Sequence, residues 1–376
     1  MNVVFLRSNP IAPDPRVEKE ARVLHNNGFN VVVVGWDRED IFEKVEERDF
    51  GKIYRLKIKA KFGTGIKNIR HLIRWNIALL VWLFQNRKNY QFIHACDFDT
   101  VIPALISKIL KKKKVIYDIF DFYADMLRNV PNFLRGVIRS IDLHLIGLAD
   151  AVIIADESRR EQIKGSKPKE LVVIYNSPSI QINQIRNPIK TDYDLIIGYV
   201  GLLQKERGLL EVINVTKKHI NWKLILAGFG GDSELIHDYG KNTPNVEFLG
   251  RVSYEKALEI YSGCDILFAI YDPSIPNHKY SSANKLFEAM MLGKPIIVAK
   301  NTGMDELVDR YKLGFIINYG NEKEIEEALR KVEGWDLTRK QNFATHAKSI
   351  FEKFFSWEIM GNRLVGLYKK LCEEKC

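Results

Sequence analysis

Short runs of apolar residues alternate with amphipathic segments along most of the chain. Six such runs lie in its first half, at residues 3–6, 31–34, 92–95, 115–117, 151–155 and 171–175. The runs are continuously apolar, and segments with the 3.6-residue spacing of helices separate several of them. Continuous apolar strands linked by helices indicate a parallel sheet that is covered on both faces.

A second series of the same kind follows a polar segment at 182–194, which we predict to be a linker. Its strands are predicted at 195–200, 224–227, 246–249, 266–270, 296–298 and 314–317. Helices are predicted from Arg207, Ser233 and Tyr254 and near Asp305, and a long amphipathic helix at 347–370. At 376 residues the chain exceeds what one core usually serves. We therefore predict two tandem doubly wound (Rossmann-like) parallel-sheet α/β domains that face a cleft, at 1–186 and 187–350, followed by a C-terminal helix at 351–376.

Positive charge is concentrated in the first half of the chain. Residues 1–190 carry 32 Lys and Arg against 21 Asp and Glu, whereas residues 191–376 carry 25 against 26. The segment from Gly51 to Tyr90 holds ten basic residues and no acidic ones. Such a block points to a polyanionic surface, namely anionic lipid, nucleic acid or an acidic substrate. Its few aromatic residues fit a packed helix better than a base-stacking surface, so no nucleic-acid partner is predicted.

Within this block, residues 67–84 (KNIRHLIRWNIALLVWLF) predict one helix. Its apolar second half is expected to pack on the first sheet, and the cations around Arg70 and Arg74 are expected to face an anionic membrane. Binding should then be reversible and sensitive to salt, without insertion. The longest uncharged apolar run, Ile77 to Phe84, has eight residues and is too short to span a bilayer.

The four cysteines show no CxxC pair and no zinc-site spacing. The first residues lead directly into a strand pattern and lack the architecture of a signal peptide. These features predict a cytoplasmic location and no metal, and the basic block adds peripheral attachment to the inner face of the cell membrane.

The segment 281–299 (SSANKLFEAMMLGKPIIVA) combines a helical half with a buried strand. On a helix Asn284, Lys285 and Glu288 share one stripe, while apolar side chains form the other side. A carboxylate there suits the adjacent hydroxyls of a ribose, and an ammonium suits a phosphate. The alternative is a Lys285–Glu288 pair on a solvated helix face.

The loop after the first strand of the second series runs from Gly201 through Lys205 and Arg207 to a predicted helix start. A helix start offers free N–H groups and a positive dipole end, and Arg207 adds a planar fork that fits a diphosphate. Lys205 is the substitute cation if Arg207 points to solvent. The alternative is an ordinary turn between a strand and a helix.

Seven segments, in order along the chain, resemble the GT-B glycosyltransferases and, among them, the retaining glycosyltransferase family 4. They include DPRVEKEARVLHNNGF from Asp14, KVIYDIFDFYAD from Lys114 and SANKLFEAMMLGKP from Ser282. The seven segments lie at 14–34, 92–105, 114–125, 172–178, 199–213, 246–268 and 282–298. Each segment is loose by itself, but their order along the chain makes the resemblance strong.

The resemblance implies a nucleotide-diphosphate-sugar donor held mainly by the second domain, without a metal or other cofactor. Glu288 matches the glutamate that receives the ribose hydroxyls, and Arg207 matches the residue that neutralises the diphosphate. Asn284 and Lys285 match an Asn-Lys pair at the pyrophosphate side.

The first domain would then bind the acceptor, a glycan or a lipid-linked glycan in cell-surface polysaccharide synthesis. Its expected acceptor residues, Asp14, Arg16 and Asp97, lie in the matched segments. The C-terminal helix would pack back on this domain. Retention of the configuration at the transferred sugar would follow from departure of the diphosphate on the front face, where the diphosphate helps to take the acceptor proton.

Three positions depart from the family pattern. Tyr280 stands where many members have a second glutamate, and Leu202 stands where many have an arginine. Phe120 replaces a frequent histidine, so the adjacent Asp121 is a candidate for the reacting centre or, alternatively, for a helix cap.

Two other functions stay open at this point. A GT-B sugar-nucleotide epimerase would share the nucleotide site and need no acceptor. A nonenzymatic GT-B subunit could scaffold a partner or bind nucleic acid through the basic block. The three departures favour it, whereas the retained Glu288, Lys285 and Arg207 argue against it. The predicted enzyme is a hexosyltransferase.

Overall fold

The computed structural model describes residues 1–61, 69–127, 130–179 and 192–373. The chain forms two compact units, one of Met1–Tyr175 with Met360–Cys376 and the other of Asn176–Ile359. The linker predicted at 182–194 lies largely outside the described residues. The chain passes from the first unit to the second after Tyr175 and returns after Ile359. The sequence predicted these boundaries at 186 and 350.

The first unit is built on one mixed sheet with helices on both faces. Its elements are β1 (Asn2–Arg7), α1 (Pro15–Asn26), β2 (Asn30–Asp37), β3 (Val45–Arg48), β4 (Gly51–Lys57), α2 (Ile69–Gln85), β5 (Phe92–Cys96), α3 (Phe98–Lys111), β6 (Lys114–Ile119), α4 (Tyr123–Met126), α5 (Asn132–Leu148), β7 (Ala151–Ile154), α6 (Arg159–Gln162) and β8 (Leu171–Val173). The strand order is β3-β4-β2-β1-β5-β6-β7-β8.

Strands β3 and β4 are absent from the sequence-based prediction. β3 (VEER) is mostly exposed and pairs antiparallel with β4 at the sheet edge, whereas the other strand pairs of this sheet are parallel. An exposed, charged edge strand carries no apolar run, so hydrophobic periodicity does not detect it.

The second unit is built on an all-parallel sheet of the order β11-β10-β9-β12-β13-β14. Its elements are β9 (Leu195–Leu202), α7 (Leu209–Lys217), β10 (Trp222–Phe229), α8 (Ser233–Gly240), β11 (Val246–Phe248), α9 (Tyr254–Gly263), β12 (Ile266–Ala269), α10 (Asn284–Leu292), β13 (Ile296–Ala299), α11 (Met304–Tyr311), β14 (Gly314–Ile317), α12 (Glu322–Glu333) and α13 (Leu337–Ile350). The predicted fold class, two Rossmann-like parallel-sheet domains, is confirmed.

The helix predicted to begin at Arg207 begins two residues later. Residues Lys205–Arg207 form a 3-10 turn, and Gly208 follows with φ +67° before α7 starts at Leu209. A Cβ at position 208 would lie 2.7 Å from the side chain of Ile270, so the close approach of β12 requires glycine here.

The single helix predicted at 347–370 is also wrong. A π-helical turn at Phe351–Phe355 follows α13, and α14 (Trp357–Glu373) begins after Ser356. The Ser356 hydroxyl accepts a hydrogen bond from the backbone N–H of Ile359, which is the geometry of a helix cap. Burial of Phe351 and Phe355 holds the intervening turn in place.

The part of α14 that belongs to the first unit packs beside α1 and the centre of the sheet. The ring of Tyr368 lies 5.4 Å from that of Phe29 and 5.3 Å from that of Phe92, and its hydroxyl is 2.9 Å from Nδ1 of His94. A Cβ at Gly361 would lie 3.2 Å from Val23 of α1. This close packing explains why the C-terminal residues belong to the first unit.

We expect Tyr368→Phe to destabilise the first unit by about 1 to 2 kcal/mol, because it leaves a buried ring nitrogen of His94 without its hydrogen-bond partner. Hydrogen exchange should show amide protection in β5 reduced by about 5- to 30-fold, with β9 unchanged. The control Tyr239→Phe removes an exposed hydrogen bond in the second unit. Protection of β5 that stays unchanged in Tyr368→Phe would show that the contact contributes nothing to stability.

Candidate functional site

A cluster of charged and aromatic side chains lies at the carboxyl ends of β9 and β12 in the second unit. Helix α10 contributes to it with its first turns, and its Lys285 and Glu288 are only 6% and 5% exposed, whereas Asn284 is exposed. The alternative of a solvated helix face is therefore wrong. Buried charges need partners built into the fold, which the surrounding strands and helices supply.

The ammonium of Lys285 lies against the end of β9. Its Nζ donates to the backbone oxygen of Val200 at 2.5 Å, lies 3.4 Å from the hydroxyl of Tyr261 and stands 3.9 Å from the ring centroid of Tyr199. A Cβ at Gly201 would come within 3.0 Å of the same nitrogen. Glycine at this position therefore leaves room for the lysine.

Burial lowers the pKa of Lys285 to about 7; the nearby Glu288 carboxylate opposes this shift and Arg207 adds to it. The lysine therefore loses its proton at a lower pH than an exposed lysine does. A bound anion next to Nζ would raise the pKa again and draw a proton onto the lysine.

Glu288 is oriented by a tyrosine of the neighbouring helix. The hydroxyl of Tyr254, at the start of α9, hydrogen-bonds the Glu288 carboxylate. Burial and this carboxylate together raise the pKa of Tyr254, and they raise that of Tyr261 as well. Tyr254 therefore stays protonated and acts as a donor to the carboxylate.

Arg207 lies in the 3-10 turn before α7, with its guanidinium carbon 4.0 Å from the ring centroid of Tyr271. Its Nε is buried and has no hydrogen-bond partner within the described ranges. Stacking on the ring restricts the guanidinium plane, and the unpartnered donor suits an anionic ligand such as a diphosphate. Lys205, two residues earlier, is exposed.

A second group of predicted residues lies at the carboxyl ends of β1, β5 and β6 in the first unit. The Asp97 carboxylate accepts from the backbone N–H groups of Phe120 at 2.9 Å and Asp121 at 3.3 Å, and also binds Arg7. Burial raises the pKa of Asp97 to about 7, although Arg7 opposes this shift. Asp97 thus ties the end of β5 to the loop after β6, next to Phe120.

Asp121 is half-buried, and its Oδ1 accepts from Arg159 at 2.9 Å. It is not the N-cap residue of α4, since that position is Phe122. The ring of Phe120 lies beneath two guanidinium groups, 4.3 Å from the Cζ of Arg7 and 4.7 Å from that of Arg16. The Phe120 ring and the two guanidinium groups therefore form a cation–π cluster beside Asp121.

Arg16 is buried inside the first unit. Its guanidinium lies 3.0 Å from Asp118 and 3.2 Å from Glu20, and it donates to the backbone oxygen of Ile174. Asp14 caps α1 through Val17. Both residues have structural partners, and their predicted roles in acceptor binding stay predictions.

One group of the described residues has the spacing of metal ligands: the buried Glu20, His94 and Asp118. Burial raises the pKa of Glu20 and lowers that of His94. Burial alone would raise the pKa of Asp118, but Arg16 and His94 lower it. Because Arg16 pairs with both carboxylates, a cation of the chain itself offsets their charge. The expectation that no metal is required stays a prediction.

The sequence analysis missed several residues that build these clusters: Arg7, Arg159, Tyr254, Tyr261 and Tyr271. Arg7 ends β1, so its place at a strand end was a usable signal. The other four lie on helices or loops without a distinguishing pattern. Only their distance from Glu288, Lys285, Arg207 or Asp121 reveals them.

Comparison with known sequences indicates the class of this protein. The family model described as "Glycosyl transferases group 1" matches residues 181–348. The capsular polysaccharide biosynthesis glycosyltransferase CapM of Staphylococcus aureus is 20% identical over 96% of this chain and 95% of its own length.

Two solved structures share the fold. Sucrose-phosphate synthase from Thermosynechococcus elongatus superposes with a TM-score of 0.81 at 16% identity, covering 100% of both chains. The Anabaena protein HepE in complex with UDP-glucose superposes with a TM-score of 0.73 at 15% identity, covering 98% of this chain and 100% of that one.

The two parallel-sheet units and these superpositions give the chain the GT-B fold. The family model and the CapM relative support a glycosyltransferase. No helix in the described ranges has the length and apolar character needed to cross a membrane.

The low pKa of Lys285 predicts that a diphosphate ester binds with uptake of a proton. The charged lysine attracts the ligand, so affinity should fall as the pH rises through about 7, by at most about tenfold per pH unit. Calorimetric titration with UDP-glucose in buffers of different ionisation enthalpy, from about pH 6 to about pH 8.5, measures this uptake directly.

Lys285→Met should remove the pH dependence as well as weaken binding. Lys205→Met is the matched control, because it removes an exposed lysine from the same loop region and should keep the pH dependence. Binding without proton uptake in the unmodified protein would show that Lys285 does not face the ligand.

Proposed function

We propose that this chain is a retaining glycosyltransferase of family 4 that transfers a hexosyl group from a nucleotide-diphosphate-sugar to a glycan or lipid-linked acceptor. The observation that carries the proposal is the cluster of Arg207, Lys285 and Glu288 at the carboxyl end of the second sheet. Two cations and one oriented carboxylate, all on one side of a parallel sheet, match a ligand with a diphosphate and a ribose.

In this proposal the Glu288 carboxylate accepts hydrogen bonds from the two ribose hydroxyls while Tyr254 holds it in position. Arg207 and Lys285 neutralise the diphosphate, with Asn284, Gly201 and Lys205 around it. The loss of the family's second glutamate at Tyr280 and arginine at Leu202 leaves these two cations as the main charge partners. The complex of HepE with UDP-glucose supports a nucleotide-sugar as the ligand.

Transfer requires that charge developing on the leaving diphosphate is stabilised as the glycosidic bond breaks. Arg207 and Lys285 are placed for this role, and no metal is needed for it. The acceptor hydroxyl is held by the first unit through Asp97 and Asp121, with Asp14 and Arg16 positioning the surrounding loops. Retention then follows a front-face departure, in which a diphosphate oxygen helps to take the acceptor proton.

The acceptor is a glycan or a lipid-linked glycan, used in the synthesis of a cell-surface polysaccharide. The CapM relative is a glycosyltransferase of capsular polysaccharide biosynthesis, which supports this class of acceptor. The basic block of the first unit supports an acceptor at an anionic membrane, so we place the protein peripherally at the inner face of the cell membrane.

Glu288→Gln should weaken nucleotide binding by about 2 kcal/mol, or roughly 30-fold in Kd, because an amide replaces the charged acceptor of two hydroxyls. Thermal-shift titration with a panel of nucleoside diphosphates measures the loss and identifies the base. The control Glu259→Gln changes a carboxylate on α9 that pairs only with its neighbour Lys256 in the described structure. Equal affinity in Glu288→Gln and the unmodified protein would contradict the donor site.

Asp121→Asn should lower turnover by about 100-fold or more while leaving donor affinity unchanged, if Asp121 works at the reacting centre. The control Asp125→Asn changes another carboxylate of the same region, which pairs with Arg139 and accepts from the side chain of Gln162. Sugar release and transfer are measured with the donor alone and with a lipid-linked acceptor. Normal turnover in Asp121→Asn removes this residue from the centre, and an epimer formed from the donor alone overturns the transferase proposal.

A further inference from the structure

Helices α2, α3 and α5 form one layer on the first sheet, and the outer side of this layer is apolar. Right-handed crossovers place all three helices on the face opposite α1, and α3 packs against both of the others. On α2 the side chains of Ile69, Ile73, Ile77 and Val81 follow one another at four-residue spacing and are between 49% and 57% exposed. The opposite side of α2 is buried through Trp75, Leu79 and Leu83.

The neighbouring helices also expose apolar side chains. α3 exposes Ile102, Ile109 and Leu110, and α5 exposes Phe133, Val137 and Ile141. An apolar groove of about 280 Å³ separates α2 from α3, with Ile73 and Ile77 on one wall and Ile102 on the other. We call the exposed sides of these three helices the apolar layer face.

Charge on the apolar layer face has a single sign. The acidic residues of the three helices are Asp99 and Asp142; Asp142 is fully buried against Tyr117, and Asp99 is not exposed. Arg70 and Arg74 are exposed beside the isoleucine row, and Lys111 is exposed at the end of α3. The face therefore presents apolar and cationic groups without an exposed carboxylate.

A surface helix of a globular unit usually turns polar side chains to water, as α12 does in the second unit. An exposed apolar surface that extends across the groove between α2 and α3 marks an interaction site. Exposed aliphatic rows flanked by arginine and lysine match the boundary between headgroups and acyl chains in a bilayer with anionic lipid. A second copy of the chain would present the same positive charge, which disfavours self-association through this face.

We infer that the apolar layer face is a membrane-docking surface that places the Ile73–Ile77 row in the headgroup boundary of an anionic bilayer. This inference deepens the proposed function. It rests on that proposal only for the claim that the acceptor lies in the same membrane. It also differs from the electrostatic attachment expected from the sequence, since buried aliphatic groups should leave part of the binding at high salt.

Co-sedimentation with vesicles tests the inference. The full chain is mixed with phosphatidylcholine vesicles, with or without phosphatidylglycerol, at low and high salt. We expect partitioning at least about tenfold stronger onto the anionic vesicles at low salt, with a fraction that persists at high salt. Ile73→Ser with Ile77→Ser should lower partitioning by about tenfold and remove the salt-resistant fraction.

Two further variants separate the contributions. Arg70→Gln with Arg74→Gln should lower the low-salt binding and keep the salt-resistant fraction. Ile220→Ser with Leu337→Ser is the matched control, because both side chains are at least 70% exposed in the second unit, and it should bind like the unmodified chain.

Several outcomes would overturn the inference. They are equal partitioning onto neutral and anionic vesicles, no partitioning onto either, or normal partitioning of the Ile73/Ile77 variant. A dimer of the unmodified chain that the same variant dissociates, without vesicle binding, would instead make the face a protein interface. Nucleotide thermal shifts of the variants stay normal in each case if the donor site is right, so failure of docking and failure of the proposed function are distinguished.

Discussion

Burial of Lys285 and Glu288 at the end of a parallel sheet is the constraint on which the second unit's site depends. A charged group removed from water is costly unless nearby groups replace its hydration. Here the oxygen of Val200 and the ring of Tyr199 receive the ammonium, while Tyr254 hydrogen-bonds the carboxylate. The same burial lowers the pKa of Lys285, so an anion bound beside Nζ would draw a proton onto the lysine.

This constraint explains local features that would otherwise seem arbitrary. Gly201 leaves space for the lysine, and Gly208 allows the turn that carries Arg207 to pass close to β12. The α-helix therefore begins after Arg207, which frees the guanidinium to stack on Tyr271. In the proposed function, the diphosphate is thus bound mainly by the side chains of Arg207 and Lys285, and less by a helix start than the sequence predicted.

The first unit also buries charged side chains, and there they link elements of the fold. Arg16 joins Asp118 and Glu20 inside the unit, and His94 extends the network from Asp118 to Tyr368 of α14. Helix α1, two central strands and the C-terminal helix are thereby linked through buried polar contacts. On the other face of the sheet, α2, α3 and α5 carry apolar groups on two sides. The inner side packs in the unit, and the outer side forms the apolar layer face.

The sequence by itself determined most of the strand and helix alternation, the two-sheet fold and the choice of Arg207, Lys285 and Glu288 as residues that belong together. It determined these because periodicity shows which residues share a face and because parallel strands end at one edge. Only the tertiary structure decided that Lys285 and Glu288 are buried, that Asp121 meets Arg159, and that the Ile73–Ile77 row is exposed. Periodicity cannot show what covers a face, since that depends on contacts between residues far apart in the chain.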